Sequence, residues 1–187
     1  MRVIAGTAGG IPLFTPRTDL RPTMDRVKAA IFSSLGEKLT DAKVLDLFAG
    51  TGGLGIEALS RGSASAVFVE QNGLAVETIK RNLDKTKLQG TVYQADIFSY
   101  LDRFNPVGTY DIIFADPPYA KAPGEHDFGH ELLLSASLQR ALAPGGIFVL
   151  EKMPGSPFPK EMKWECVRQK KYGATETAFL IPLASDP

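Results

Sequence analysis

From residue 44 onward the chain alternates short apolar runs with amphipathic stretches, and this repeat leaves few folds open. Residues 44–48, 66–69, 91–95, 110–115 and 147–150 read as strands. Helices are expected over about 53–61, with Gly62 just past the end, over 74–87, and over about 130–142. Val76, Ile79 and Leu83 share one face of the second helix; Leu134, Leu138, Ala141 and Leu142 form the stripe of the third. Near-continuous apolar strands, joined by such helices, make a parallel sheet covered on both faces. Right-handed crossovers then give an α/β, doubly wound, Rossmann-like sheet. Two further strands, over about 163–171 and 175–182, meet at Tyr172-Gly173-Ala174 and read as an antiparallel closing hairpin. The sheet is then mostly parallel and seven-stranded.

Ahead of the repeat, residues 2–5 and 11–14 are short apolar runs separated by Gly6, Gly9 and Gly10, the pattern of a small hairpin or of two edge strands. Residues 15–22 form a loop carrying Pro and Arg. A helix is expected from Thr23, which can cap it, with Asp25 in the first turn and Val27, Ala30, Ile31 and Leu35 on one stripe. Gly36 or residues 39–41 end it. A chain of 187 residues holds one domain of this kind with an appendage. The expected division is a hairpin–helix extension over 1–40 and the doubly wound domain over 41–187.

Lysine plus arginine and aspartate plus glutamate both number 21, so the net charge is zero. Binding of nucleic acid by bulk charge is thereby disfavoured, and local patches are left to do it. A single cysteine excludes a disulfide framework and a four-thiolate zinc site. No apolar run approaches the ~20 residues of a membrane span, and the first ten residues lack the apolar core of a signal peptide. A protein of the cytoplasm, without membrane contact, is the expectation.

Ligands of doubly wound sheets sit outside the carboxyl ends of the strands. There, Gly50-Thr51-Gly52-Gly53-Leu54-Gly55 follows a strand and opens a helix, and Glu70 lies 20 residues after Gly50. Such a loop lets backbone approach a nucleotide, and Ile56 stands where a P-loop would need its lysine. A dinucleotide and S-adenosylmethionine are the two candidate ligands. Asp46 lies near the end of the first strand, Glu70 ends the second, Asp96 the third and Asp116 the fourth. Each alone reads equally well as a solvated strand end or a helix cap; together at one edge they repel a pyrophosphate and attract the net-cationic S-adenosylmethionine. Glu70 would accept from the ribose hydroxyls, and Asp96 from the adenine amine. A dehydrogenase would in addition need a second domain for which the chain has no room.

Asp116-Pro117-Pro118-Tyr119 is the sharpest signal. Its prolines fix φ and stiffen the turn that presents the aspartate. Methylating the planar exocyclic amine of a nucleobase requires its lone pair to be localised. The Asp116 carboxylate and the Pro117 carbonyl can accept both amine hydrogens, while Tyr119 stacks on the base. A base handled this way must be unpaired or flipped out. The plainer reading is a stiff turn with a packing tyrosine.

Other constellations carry less. His126 and His130 are spaced for a shared metal on a helix, but Gly124 and Gly129 bracket them and a polar loop is the better reading. Cys166 lies in an alternating strand and reads as a structural thiol. No G-x-S-x-G elbow is present. Arg2, Arg17, Arg21, Arg26 and Lys28 form one basic group; Lys160, Lys163, Arg168, Lys170 and Lys171 form another. These are the candidate phosphate contacts.

Leu45-Asp-Leu-Phe-Ala-Gly-Thr-Gly52, Glu70, Asp96 and Asp-Pro-Pro-Tyr119 resemble class I S-adenosylmethionine-dependent amino-methyltransferases. The likeness is closer to the RsmD family of bacterial small-subunit ribosomal RNA guanine-N2 methyltransferases. It runs along nearly the whole chain, through Met1-Arg-Val-Ile-Ala-Gly6, Leu20-Arg-Pro-Thr-Met-Asp-Arg-Val27, Gly55-Ile-Glu-Ala-Leu-Ser-Arg61, and Tyr172-Gly173 with Thr175. Thr51, Gly53, Lys28 and Ala29 depart conservatively from the family's commonest residues. The resemblance implies S-adenosylmethionine as methyl donor and a guanine N2 amine of 16S ribosomal RNA as acceptor; a small-subunit particle or assembly intermediate as partner, a monomeric enzyme and no metal are further expectations. It implies donor contacts from Thr23, Arg26, Asp46, Phe48 and Gly50, and from Thr51, Gly52, Glu70, Asp96 and Ile97. Asp116, Pro117, Pro118 and Tyr119 would be catalytic, and Arg17, Arg21, Tyr119, Lys170 and Lys171 would meet the RNA. The alternatives are an adenine-N6 methyltransferase acting on DNA or RNA, a catalytically idle nucleic-acid-binding module and, disfavoured above, a dinucleotide oxidoreductase.

Overall fold

A computed structural model describes residues 1–15, 23–104, 106–120, 122 and 124–183. Helix α1 (Thr23–Leu35) and a short 3-10 turn (Gly36–Leu39) lead into the repeat β1 (Lys43–Leu47), α2 (Gly53–Ser60), β2 (Ser65–Glu70), α3 (Gly73–Thr86), β3 (Thr91–Gln94), α4 (Ile97–Phe104) and β4 (Tyr110–Ala115). Then come α5 (Phe128–Leu134), α6 (Ala136–Ala141), β5 (Leu142–Lys152), β6 (Trp164–Tyr172) and β7 (Thr175–Pro182). The seven strands form one sheet in the order β3-β2-β1-β4-β5-β7-β6. The first five are parallel, while β7 runs antiparallel to both β5 and β6. The expected sheet and closing hairpin are therefore both present.

Alternation along the strands divides the core. Val44, Phe68, Ile112, Phe114 and Val149 pack on one face with Ile31 and Phe32 of α1, Ile56 of α2 and Ile79 of α3. Leu45, Leu47, Ile113, Phe148 and Leu150 pack on the other with Ile97 and Leu101 of α4, Leu132 of α5 and Leu138 of α6. Strands buried on both faces cannot alternate apolar with polar, hence their continuous apolar sequence.

Three elements differ from the sequence reading. The helix expected over about 130–142 is two, because the Ser135 side chain accepts from Leu138 N–H at 3.2 Å and starts a new helix where α5 ends. Helix α4 was not anticipated; Asp96 Oδ1 accepts from Ser99 N–H at 2.9 Å, and Ile97, Tyr100 and Leu101 make its buried stripe. Strand β5 starts at Leu142 rather than at 147, its pairing with β4 shifting register between Tyr110 and Ile112. Gly62 behaves as expected: with φ +100° it closes α2 in a Schellman pattern, Ser63 N–H to Ala58 C=O and Gly62 N–H to Leu59 C=O.

The N-terminal segment is paired as expected, though only as a bridge between Arg2 and Pro12; it is held by α2 and, at Phe14, by Asn82 of α3. Glu57, fully buried, accepts from Ile4 N–H at 2.7 Å and Ala5 N–H at 3.1 Å. It also pairs with Arg61 Nε at 2.7 Å and Lys28 Nζ at 3.3 Å. Lys28 in turn donates to the Arg2 carbonyl. Gly6 passes so close that a Cβ there would lie 1.8 Å from the Ser60 carbonyl oxygen. Val3, Ala8 and Leu13 thereby join the core of the sheet's first face.

Candidate active site

At the carboxyl edge of the sheet lies a crevice of about 890 Å³. It opens where β1 is flanked by β2 on one side and β4 on the other, the point at which the strand order reverses. The glycine loop forms its floor. Phe48, Gly50 and Gly52 all take positive φ, and Gly52 N–H closes a turn on the Ala49 carbonyl at 2.7 Å. Gly55 lies against Phe68, where a Cβ would meet the ring at 2.3 Å; only glycine lets α2 pack this near β2. Asn82, buried on α3, donates to the Thr51 carbonyl at 2.9 Å and holds the loop from below.

The acids divide their work. Asp46 Oδ2 accepts from Gly55 N–H at 2.8 Å and ties β1 to the first turn of α2. Glu70 accepts from Gly50 N–H at 2.9 Å with one oxygen and from Asn72 N–H at 2.8 Å with the other. Asp96 caps α4 with one oxygen. Asp116 follows β4 and opens onto the crevice. Glu151, a fifth carboxylate that the sequence reading passed over, ends the apolar run of β5 and lines the same wall. Its signal was the one used for the other four, an acid at the carboxyl end of an apolar strand.

Burial pushes the Asp46 carboxyl up to about 8, against the opposing Gly55 hydrogen bond. Glu151 is likewise pushed up to about 8 by burial and then by the Asp116 charge. Burial raises Asp116 to about 6, a rise that its exposure at the crevice mouth tempers. Three carboxyls that resist ionising beside one cavity make a site that a cation relieves. Because Asp46 titrates near 3.8 when unfolded and about 8 when folded, the native state binds its proton more tightly. Its contribution to stability is complete below about pH 4 and is lost as pH rises toward 8. The melting temperature of the ligand-free protein is expected to fall over that window, and Asp46→Asn, which keeps an oxygen for Gly55 N–H, to flatten the decline. Thermal melts at stepped pH check this; an identical slope in the variant contradicts it.

Asp46, Phe48, Gly50 and Thr51 line the crevice, as do Glu70, Asp96, Ile97, Asp116, Pro117, Pro118 and Tyr119. Gly52 lies buried beneath the loop. Arg26 is exposed on α1 and stands outside the crevice wall, whereas its neighbours Val27 and Lys28 belong to it. Lys28, counted among the phosphate contacts, is buried and committed to Glu57; desolvation lowers its pKa. Lys170 and Lys171 are exposed on β6, and the turn that follows brings Ala174 and Thr175 to the crevice rim. Arg17, Arg21 and the Thr23 side chain lie outside the described residues. His126 pairs with Glu131 and packs edge-on against Phe128, whose ring meets Phe48 at 5.3 Å. Among the described residues no group of three or more His, Cys, Asp or Glu side chains is placed to hold a metal. None of their helices is long and apolar enough to cross a membrane. Met1, Phe128, Ala174 and Thr175 also line the crevice, and only the fold brings them there.

The family model described as "Conserved hypothetical protein 95" matches residues 1–181. A Bacillus subtilis protein described as a putative rRNA methyltransferase is 43% identical over 123 residues, 64% of this chain and 67% of the relative. The ribosomal RNA small subunit methyltransferase D of Escherichia coli is 37% identical over 65% of this chain; the match spans 61% of that relative. The Haemophilus influenzae protein of the same description is 28% identical over 92% of this chain and 89% of its own length. Among solved structures, a putative methyltransferase from Escherichia coli superposes with a TM-score of 0.81 at 29% identity, covering 99% of both chains. The matched family model, the crevice and the Asp-Pro-Pro-Tyr turn agree: the chain belongs to the family described as Conserved hypothetical protein 95, the RsmD family of S-adenosylmethionine-dependent methyltransferases.

Proposed function

We propose that the protein transfers a methyl group from S-adenosylmethionine to the exocyclic N2 amine of a guanine in small-subunit ribosomal RNA. The observation that carries this reading is the meeting of the glycine loop and Asp116-Pro117-Pro118-Tyr119 on one acid-lined crevice. When bound, S-adenosylmethionine supplies an electrophilic methyl group on a cationic sulfur. The residues fit such a donor: the loop backbone is open at Gly50, Glu70 fixes that loop, and the surrounding carboxyls favour positive charge. Asp116 and the Pro117 carbonyl would accept the two amine hydrogens and localise the nitrogen lone pair. Tyr119 would stack on the base, and Asp116 would take the proton that the methylated amine releases. The named relatives support the RNA; the guanine rests on the family resemblance. We place the protein in the cytoplasm, as a monomer acting on an assembling subunit particle.

Nucleoside analysis of 16S RNA from cells lacking the protein, before and after complementation, tests this. Restored N2-methylguanine supports it, and restored N6-methyladenine would replace it with the adenine reading.

The donor half has its own test. Glu70→Ala removes a ribose acceptor and the brace on Gly50 and Asn72, so donor affinity is expected to fall by about 1.5–3 kcal/mol, the worth of a charged hydrogen bond. Calorimetric titration measures it, and unchanged affinity sinks the assignment.

The RNA half rests on the exposed edge strand. Neutralising Lys170 and Lys171 should weaken RNA binding and lower the salt slope by about 0.7–0.9 for each phosphate that no longer meets a cation. Donor affinity should stay as it was. Filter binding at several salt concentrations decides this, and an unaltered slope removes these lysines from the interface.

A further inference from the structure

The mechanism leaves the crevice carboxyl of Glu151 without a task. Glu151 ends the apolar run of β5 beside Asp116, since Ala115 of β4 pairs with Leu150. Its Oε2 accepts from Thr175 Oγ1 at 3.2 Å. While Thr175 gives its one hydroxyl proton to the ionised Glu151, its oxygen accepts from the Tyr119 hydroxyl, with which it is also hydrogen-bonded. A directed chain therefore runs from Tyr119 through Thr175 to Glu151, across three separate segments of the sheet edge.

The far end of this chain is rigid. Thr175 starts β7 and pairs with Tyr172 across the hairpin turn. The next residue, Glu176, holds Lys152 Nζ at 3.0 Å and Gly155 N–H at 3.1 Å. Adjacent residues of β7 are thus tied to adjacent residues of β5. Tyr119 sits half-buried after two prolines, which set its backbone, and the Thr175 hydroxyl meets its ring at the phenol oxygen. A ring already held in one rotamer spares the ordering cost of binding a base.

We propose that Thr175 and Glu151 are positioning residues, which fix the Tyr119 ring through its hydroxyl so that it meets the acceptor base in one orientation. This rests on the methyl-transfer reading, in which Tyr119 faces the base. It also gives the closing hairpin a role in the chemistry, because the strand carrying Lys170 and Lys171 turns directly into Thr175.

The test pairs kinetics with a readout that needs no turnover. On 16S RNA from cells lacking the protein, Tyr119→Phe and Thr175→Val should each lower kcat by about ten-fold, the scale of a lost orientation. Glu151→Ala should join them. Binding of S-adenosylhomocysteine should stay within about two-fold, as an effect confined to the acceptor side requires. The Tyr119→Phe/Thr175→Val pair should lose no more than the worse single variant, because both break one chain. Thr175→Ser should recover most of the rate. Parental kcat in Thr175→Val, or losses that multiply, overturns the proposal. With 3-fluorotyrosine incorporated, the resonance missing from Tyr119→Phe belongs to Tyr119. It should shift or broaden in both Thr175→Val and Glu151→Ala; an unchanged line in either overturns the coupling, and Glu151→Ala decides if Thr175→Val does not fold. A parent that transfers no methyl group overturns the methyl-transfer reading instead, while the fluorine spectra still judge the coupling.

Discussion

Asp116→Ala is expected to lower turnover by about 10²–10³, the loss that follows removal of one preorganised group from a reacting centre. Asp116 stands on the stiffest turn at the crevice, directly after β4, and is the acid left open to the cavity. Asp46, Glu70 and Asp96 are engaged with backbone N–H groups of the loops and helices they support. The defect should therefore fall on chemistry. S-adenosylhomocysteine affinity should change far less than kcat, because the main task of Asp116 is toward the acceptor amine. Single-turnover transfer measured beside calorimetry separates the two. Parental turnover in Asp116→Ala means that the amine is held elsewhere.

Glu57→Ala is expected to cost about 3–5 kcal/mol of stability, the scale for breaking a buried ion pair on one side. The substitution strips Ile4 and Ala5 N–H of their acceptor and leaves Lys28, 4% exposed, as a buried cation without its partner. The N-terminal segment would lose its hold on α2. Because Met1 and Lys28 line the crevice, donor affinity should fall as well. Urea unfolding gives the first number and calorimetry the second. A loss below about 1 kcal/mol, the value of an exposed pair, would mean that the network is solvated in solution.

The two predictions draw on different levels of information. Asp116 was legible because β4 carries the apolar run Ile112–Ala115, ended by an acid and two prolines that no strand interior accepts. An acid closing an expected strand, without the prolines, marks Glu70 and Asp96. Glu57 was not legible. It lies in a largely apolar helix, and its partners Ile4 and Ala5 are 53 and 52 residues away. Nothing local distinguishes an acid that binds a distant backbone from one that faces water. Lys28 failed the same way: its charge suggested phosphate, and its position in the core gave it to Glu57.

The sequence by itself determined the sheet, because strand and helix periods are local properties that any window of the chain displays. It determined the glycine loop and the Asp-Pro-Pro-Tyr turn for the same reason: their backbone geometry is written in the residues that adopt it. Only the tertiary structure decided that Asp96 also caps a helix, that the first fifteen residues dock on α2, and that Thr175 of the last strand reaches Tyr119, 56 residues earlier. Those contacts exist because a doubly wound sheet gathers the carboxyl ends of distant strands at one edge. Which side chains meet there is set by strand order and register, and neither is carried by any single segment.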